Sequence, residues 1–153
     1  MELIEREILN QALEAFRSKF AMPEECVIVE EGTDRTFLDA VVRIMDVDFL
    51  CEIKSSVTTA SLNTILNRIQ AKTTKQPILL VAGYISPAVL DELTNNGVNT
   101  LDCAGNCHIR YMKGKKLFFQ LSNKGEKSMP VKDGKHSFVF FQRKKCISEK
   151  GLL

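Results

Sequence analysis

The stretch from 36 to 55, TFLDAVVRIMDVDFLCEIKS, constrains the fold of this chain more than any other part of it. It holds two short apolar runs around a polar break, which predicts an antiparallel β-hairpin. Apolar side chains fall on both faces of each strand, as with Leu38 and Val41 in the first run and Phe49 and Leu50 in the second. The sequence therefore predicts a sheet that is covered on both sides.

The same hairpin carries three charged residues, Asp39, Glu52 and Lys54. The two-residue spacing of Glu52 and Lys54 places them on one face of a strand. If the hairpin is centred on residues 46–47, Asp39 lies opposite Lys54 and Val41 lies opposite Glu52. Two carboxylates and an ammonium group would then converge on one patch of the sheet.

Such a patch fits the cleavage of a phosphodiester. Mg²⁺ prefers oxygen ligands and keeps several waters, so two protein carboxylates are enough to hold it. We expect Asp39 and Glu52 to bind Mg²⁺ or Mn²⁺, with Lys54 on the nucleophilic water or the phosphate. The structural alternative is a cross-strand ion pair between Asp39 and Lys54.

Helices and strands alternate along the rest of the chain. Helices are predicted at 2–20, 59–73 and 87–95, and strands at 26–30, 78–84, 98–102, 107–112, 117–121 and 136–142. With a right-handed crossover around the second helix, this order predicts an α/β sandwich with a mixed central sheet. The 153 residues form one predicted domain, with a core at about 1–121 and a basic, β-rich extension at 122–153. The last residues are apolar and show no signal that would end a helix. We expect this if the chain is part of a longer one or if this end docks on a partner.

The first predicted helix has an apolar stripe that includes Ile8, Leu13 and Phe16. Glu5 falls in the middle of that stripe. A carboxylate among core-facing positions indicates a metal, a basic partner or access to a cleft. The alternative is a glutamate in the first turn that suits the helix dipole.

Charge is unevenly distributed although the net charge is only +2. From Arg110 onward there are 12 basic and 3 acidic residues, which indicates a polyanionic partner such as DNA. Arg143, Lys144 and Lys145 are candidates for phosphate contacts that would read charge and not base sequence. A lysine-rich edge strand that discourages aggregation explains the same run.

Composition places the chain among cytoplasmic proteins. The N-terminus does not resemble a signal peptide, and no apolar run approaches the ~20 residues needed to span a bilayer. The five cysteines are expected to be reduced thiols, several of them in the core. Cys103, Cys107, His108 and Cys146 are a weak zinc set, because no second C-x-x-C pair accompanies them.

Asp39 lies on one predicted strand, and Glu52-Ile53-Lys54 follows thirteen residues later on the next. A helix and a buried strand come after them. This order resembles the PD-(D/E)xK, or restriction-endonuclease-like, superfamily. The resemblance covers about residues 1–121. It implies a restriction-endonuclease-like sandwich and a metal-dependent endonuclease-like hydrolase acting on DNA. It also implies a site of Asp39, Glu52 and Lys54, with Glu5 from the first helix as a further member.

A narrower resemblance lies in the segment 77–110, where Pro87, Gly97, Asp102, Gly105 and Asn106 match bacterial antitoxin-like regulators of the AbiE type. Those proteins pair such a domain with a winged-helix DNA-binding domain. This implies a second function, a non-catalytic DNA-binding or regulatory module, with a homodimer or an appended winged-helix domain as partners. Asp102 and its neighbours are expected to shape a turn.

Overall fold

The computed structural model describes residues 3–21, 26–31, 39–72 and 75–127. Within these ranges the protein is a mixed α/β fold with three helices and one seven-stranded sheet. The elements are α1 (Leu3–Phe20), β1 (Cys26–Glu31), β2 (Ala40–Ile44), β3 (Val47–Lys54), α2 (Thr59–Gln70), β4 (Ile78–Ala82), α3 (Pro87–Asn95), β5 (Asn99–Asp102), β6 (Cys107–Lys113) and β7 (Lys116–Asn123).

The strands lie side by side in the order in which they occur in the chain, from β1 to β7. β1, β2 and β3 form an antiparallel meander, β3, β4 and β5 run parallel, and β5, β6 and β7 are again antiparallel. The predicted mixed sheet is confirmed. Because β3, β4 and β5 are parallel, their carboxyl ends meet at one edge of the sheet.

Two apolar clusters lie on opposite faces of the sheet. On one face, α1 packs Leu9, Leu13 and Phe16 against Cys51 and Val81. On the other face, buried side chains of α2 and α3 pack against residues of β4. The prediction of a sheet covered on both sides is confirmed.

Local sequence explains where α2 and α3 begin. Ser86 is the N-cap of α3, and Pro87 occupies its first turn, as the sequence predicts. Thr58 is the N-cap of α2 and forms a capping box with Ser61, in which each side chain accepts from the backbone N–H of the other. α2 ends at Gln70, three residues before its predicted end.

The predicted register of the hairpin is wrong by two residues. Ala40 pairs with Cys51 and Val41 with Leu50, so Val41 does not lie opposite Glu52. The cause is the turn, in which Met45 and Asp46 both have positive φ angles, of 51° and 67°. This backbone makes a two-residue turn that matches the twist of the strands. A shift of two leaves every side chain on its predicted face.

Several predictions fall outside the described residues, including the strand at 136–142 and the phosphate contacts of Arg143, Lys144 and Lys145. The same holds for Cys146, the fourth member of the weak zinc set. Among the residues that are described, no helix is both long enough and apolar enough to cross a membrane.

Candidate functional site

Glu52 lies in the middle of the sheet and is closed off from solvent. Strand β3 places it beside Leu80 of β4, and its side chain projects to the face covered by α2. Only 3% of the residue is exposed. An ionised carboxylate at this depth needs a positive partner, because burial removes most of its hydration.

Helix α2 and the residues after it supply two such partners. The ammonium group of Lys72 bonds to Oε1 of Glu52, and the Lys72 side chain is itself only 11% exposed. Nε of Arg68 lies 3.6 Å from the same oxygen, with half of the Arg68 side chain in solvent. Arg68 lies in the last turn of α2, and Lys72 lies two residues after the helix ends at Gln70. No spacing in the sequence pairs either cation with Glu52, so both partners are missed.

A small cavity of about 40 Å³ lies between this ion-pair cluster and α2. Glu52, Lys54, Thr64 and Arg68 contribute to its lining. A cavity of this size has room for a water molecule. It is far smaller than the roughly 300 Å³ at which ordinary ligand pockets begin. A nucleotide phosphate therefore does not enter it without movement of α2.

Asp39 immediately precedes strand β2. Its backbone N–H donates to the carbonyl of Cys51, at 2.9 Å. Its carboxylate Oδ2 accepts a 2.8 Å hydrogen bond from the backbone N–H of Ile53. Ile53 stands between Glu52 and Lys54, so all three predicted site residues lie at the same end of the hairpin. The role found for the Asp39 carboxylate is to cap a backbone donor of β3.

The structure places the other two predicted site residues differently. Lys54 is partly buried at the end of β3 and lines the small cavity beside Glu52. Glu5 is partly buried on α1, which packs on the sheet face opposite the one to which Glu52 projects. The expected convergence of Glu5 with Glu52 on one face of the sheet is therefore not found.

The residues in place do not fit a bound Mg²⁺ or Mn²⁺. Glu52 already has two cationic partners on one oxygen, and a divalent ion there would be repelled by both. Oδ2 of Asp39 is engaged by a backbone donor. In the described part of the chain, no group of three or more His, Cys, Asp or Glu side chains is arranged to hold a metal ion.

A second buried carboxylate, Asp102, organises the turn between β5 and β6. It is fully buried and accepts four hydrogen bonds of 2.9 Å, from the backbone N–H groups of Ile85, Ala104 and Asn106 and from the Asn106 side chain. Burial raises the pKa of Asp102, against these hydrogen bonds, which act to lower it. Asp102 thus ties the loop after β4 to the turn after β5.

The cysteines of the weak zinc set are core thiols where they are described. Burial raises the pKa of Cys103 and of Cys107 to about 12 each, so both are protonated at neutral pH. Sγ of Cys103 donates to the carbonyl of Ile8. His108 is partly exposed, with Nδ1 2.8 Å from Oγ of Ser122.

An open cleft of about 360 Å³ lies at the turn end of the hairpin, away from Glu52. Its lining includes Arg43, Asp48, Lys75 and Tyr111. Arg43 and Asp48 are paired across the strands, with Nε 2.8 Å from Oδ1. The hydrogen bond from the Arg43 guanidinium lowers the pKa of Asp48. The Asp48 carboxylate therefore stays ionised and paired with Arg43. No sequence feature predicts this cleft.

The β6–β7 hairpin presents a basic surface with an exposed aromatic side chain. Lys113 and Lys116 face each other across the strands, and Lys115 lies in the turn between them. All three lysines are exposed, as is Arg110. Phe118 is 58% exposed on the neighbouring strand. Positive charge beside an aromatic ring is the surface chemistry that contacts nucleic-acid backbones and unstacked bases.

Comparisons of the chain with protein-family models, with curated proteins and with solved structures found no match.

Proposed function

We propose that this chain is the restriction-endonuclease-like α/β module of a bacterial DNA-binding regulator, and that it binds DNA without cleaving it. The order helix, three-strand meander, helix and buried strand supports that fold. So does the position of Asp39 and Glu52-Ile53-Lys54 on neighbouring strands of one hairpin.

The non-catalytic part of the proposal rests on one observation, the burial of Glu52 and its pairing with two cations. A catalytic carboxylate must be open to a metal ion and to substrate, whereas Glu52 is buried beneath α2 and paired with Lys72 and Arg68. Replacing one partner of such a buried pair leaves an uncompensated charge. Loss of Lys72 would therefore destabilise the domain, and with its partners in place the Glu52 carboxylate has little capacity for a further cation.

The basic β6–β7 hairpin supports the DNA-binding part. Its cations are exposed on one two-stranded element, where they can contact a phosphate backbone together. Arg143, Lys144 and Lys145 stay predicted contributors to the same function. The resemblance to AbiE-type regulators adds an appended winged-helix domain as the partner that would read base sequence.

Titration of a duplex DNA with the full chain at several salt concentrations tests this function. We expect binding that weakens steeply with salt, because each neutralised phosphate contributes about 0.9 to the slope of log K against log salt. Joint replacement of Lys115 and Lys116 by alanine should lower that slope by about 2. Lys124→Ala is the matched control, because Lys124 is exposed but already paired with Asp91.

Two outcomes would contradict the proposal. One is the absence of DNA binding at low salt, which would favour a protein-interaction domain. The other is nicking of plasmid DNA in Mg²⁺ or Mn²⁺ that Lys54→Ala abolishes. The latter would favour metal-dependent phosphodiester hydrolysis, the second candidate function, for which the gathering of Asp39, Glu52 and Lys54 at one end of the hairpin is the supporting observation.

A further inference from the structure

The turn end of the β6–β7 hairpin combines lysines with exposed apolar side chains. Lys113 and Lys116 lie directly opposite each other. Like charges in that arrangement lower the stability of a hairpin, and a polyanion bound nearby offsets the cost. Phe118 is 58% exposed, and its neighbour Leu117 is 47% exposed. Phosphate contacts account for the lysines, but they do not account for an aromatic ring in solvent.

The ring of Phe118 is held in place by other aromatic rings. Its centroid lies 5.9 Å from that of Tyr111, and the two ring planes are 85° apart. Tyr111 in turn contacts Phe119, which packs against Phe49 in the core. These contacts orient the Phe118 ring and leave more than half of the residue exposed. A ring that is already oriented loses little conformational freedom when a flat ligand stacks on it.

Space for a further base lies beside these rings. Tyr111 also lines the open cleft of about 360 Å³. This volume exceeds the roughly 300 Å³ at which ordinary ligand pockets begin. The charged side chains of the lining are Arg43, Lys75, Asp46 and Asp48, two of each sign. Because these charges balance, the cleft suits the polar edge of a neutral base better than it suits a phosphate.

We propose that the turn end of the β6–β7 hairpin binds unpaired nucleotides of single-stranded DNA, with one base stacked on Phe118. The inference rests on the proposed function, because it uses the same hairpin, and it adds the form of DNA that is recognised. In a duplex the flat faces of the bases are covered by neighbouring bases, so Phe118 can stack only on an unpaired one. Phosphates are available to the lysines in both forms.

Three probes of equal length separate stacking from charge: an oligothymidylate, an abasic strand with the same number of phosphates, and a duplex. We expect the full chain to bind the oligothymidylate more tightly than the abasic strand, roughly fivefold or more, because a stacked base adds affinity that phosphates do not supply. Phe118→Ala should remove this preference. Fluorescence anisotropy at one low salt concentration measures the three affinities.

Leu117→Ala is the matched control, because Leu117 is similarly exposed one residue earlier but has no flat ring. It should keep the preference for the oligothymidylate. Phe118→Leu is the second test variant, since it keeps an apolar side chain against Tyr111 and lacks an aromatic face. It should lose the preference as Phe118→Ala does.

Three results would overturn the inference. If the natural protein binds the oligothymidylate and the abasic strand equally, no base is stacked, and binding of the duplex in the same experiment would show that the proposed function still holds. A preference that survives in folded Phe118→Ala and Phe118→Leu would place the base elsewhere. An equal loss in Leu117→Ala would indicate general apolar contact in place of stacking. Absence of binding to all three probes would contradict the proposed function together with the inference.

Discussion

His108 and Arg110 share one face of β6, with His108 paired across the strands to Ser122 and Arg110 to Gln120. Partial burial and, after it, the charge of Arg110 lower the pKa of His108 below its usual value near 6.5. The neutral imidazole is therefore favoured in the folded state. Since the unfolded chain binds the proton more readily, this residue lowers the stability as pH falls through 6.5.

Arg110 is exposed, so its charge can be removed without changing the core. In Arg110→Gln, we expect the pKa of His108 to move up part of the way to its usual value, because burial remains as the larger cause. An NMR titration of the His108 ring protons measures it, with assignment by His108→Gln. Lys113→Gln, an exposed cation on the same strand, is the control. An unchanged pKa in Arg110→Gln would show that burial alone acts on His108.

At the scale of elements, α2 both covers Glu52 and brings Arg68 to it. Its N-terminus is fixed by Thr58, whose Oγ1 accepts from the N–H of Ser61 at 3.3 Å. The reciprocal bond from the N–H of Thr58 to Oγ of Ser61 is 3.0 Å. The capping box therefore stabilises the start of the helix that covers Glu52.

Thr58→Ala should lower the free energy of unfolding by about 1 kcal/mol, because it leaves helix N–H groups without their acceptor. Urea denaturation followed by circular dichroism measures the change. Thr59→Ala is the matched control, since Thr59 is exposed at the first helical position and alanine is a better helix former. Equal losses in the two variants would argue against a role for the cap.

How far the sequence predicts this molecule depends on the kind of contact involved. Apolar periodicity predicts α1 within a residue of its observed start, and Ser86-Pro87 predicts the start of α3, because both are local features. The register of the hairpin is not predicted, since it depends on a left-handed backbone at Met45, a residue type that rarely adopts it. The Lys72–Glu52 pair is missed as well, because it joins residues twenty positions apart through two flexible side chains.

At the scale of the whole molecule, the turn after β5 holds the chain that follows β7. Oδ1 of Asn106 accepts from the N–H of Glu126 at 2.8 Å, and its Nδ2 donates to the Glu126 carbonyl at 3.1 Å. Asp102 fixes the Asn106 amide for this task. Lys19 of α1 adds an ion pair to Glu126. The segment that follows β7 is thus held by the turn after β5 and by α1.

Asn106→Ala should free the segment around Glu126. The variant loses two hydrogen bonds to Glu126 and one to Asp102, of about 1 kcal/mol each, which would increase local opening, and with it tryptic cleavage after Lys124, roughly tenfold or more. Mass spectrometry of timed digests measures the rate. Asn96→Ala is the control, because the Asn96 side chain bonds only near its own helix, to the Glu92 carbonyl. An unaltered cleavage rate in Asn106→Ala would mean that the other contacts of Glu126, to Lys19 and Asn123, hold the segment.

The agreement between chain order and spatial order of the strands has a consequence for synthesis on the ribosome. Among the seven described strands, each one after β1 pairs with the strand that precedes it in the chain, so none of them has to insert between two others. Successive partners are close in sequence, joined by tight turns in the β2–β3 and β6–β7 hairpins and by a single helix between the parallel strands, which keeps the entropy of loop closure low and favours rapid folding. The sheet can grow from its β1 edge while the basic end of the chain is still being translated.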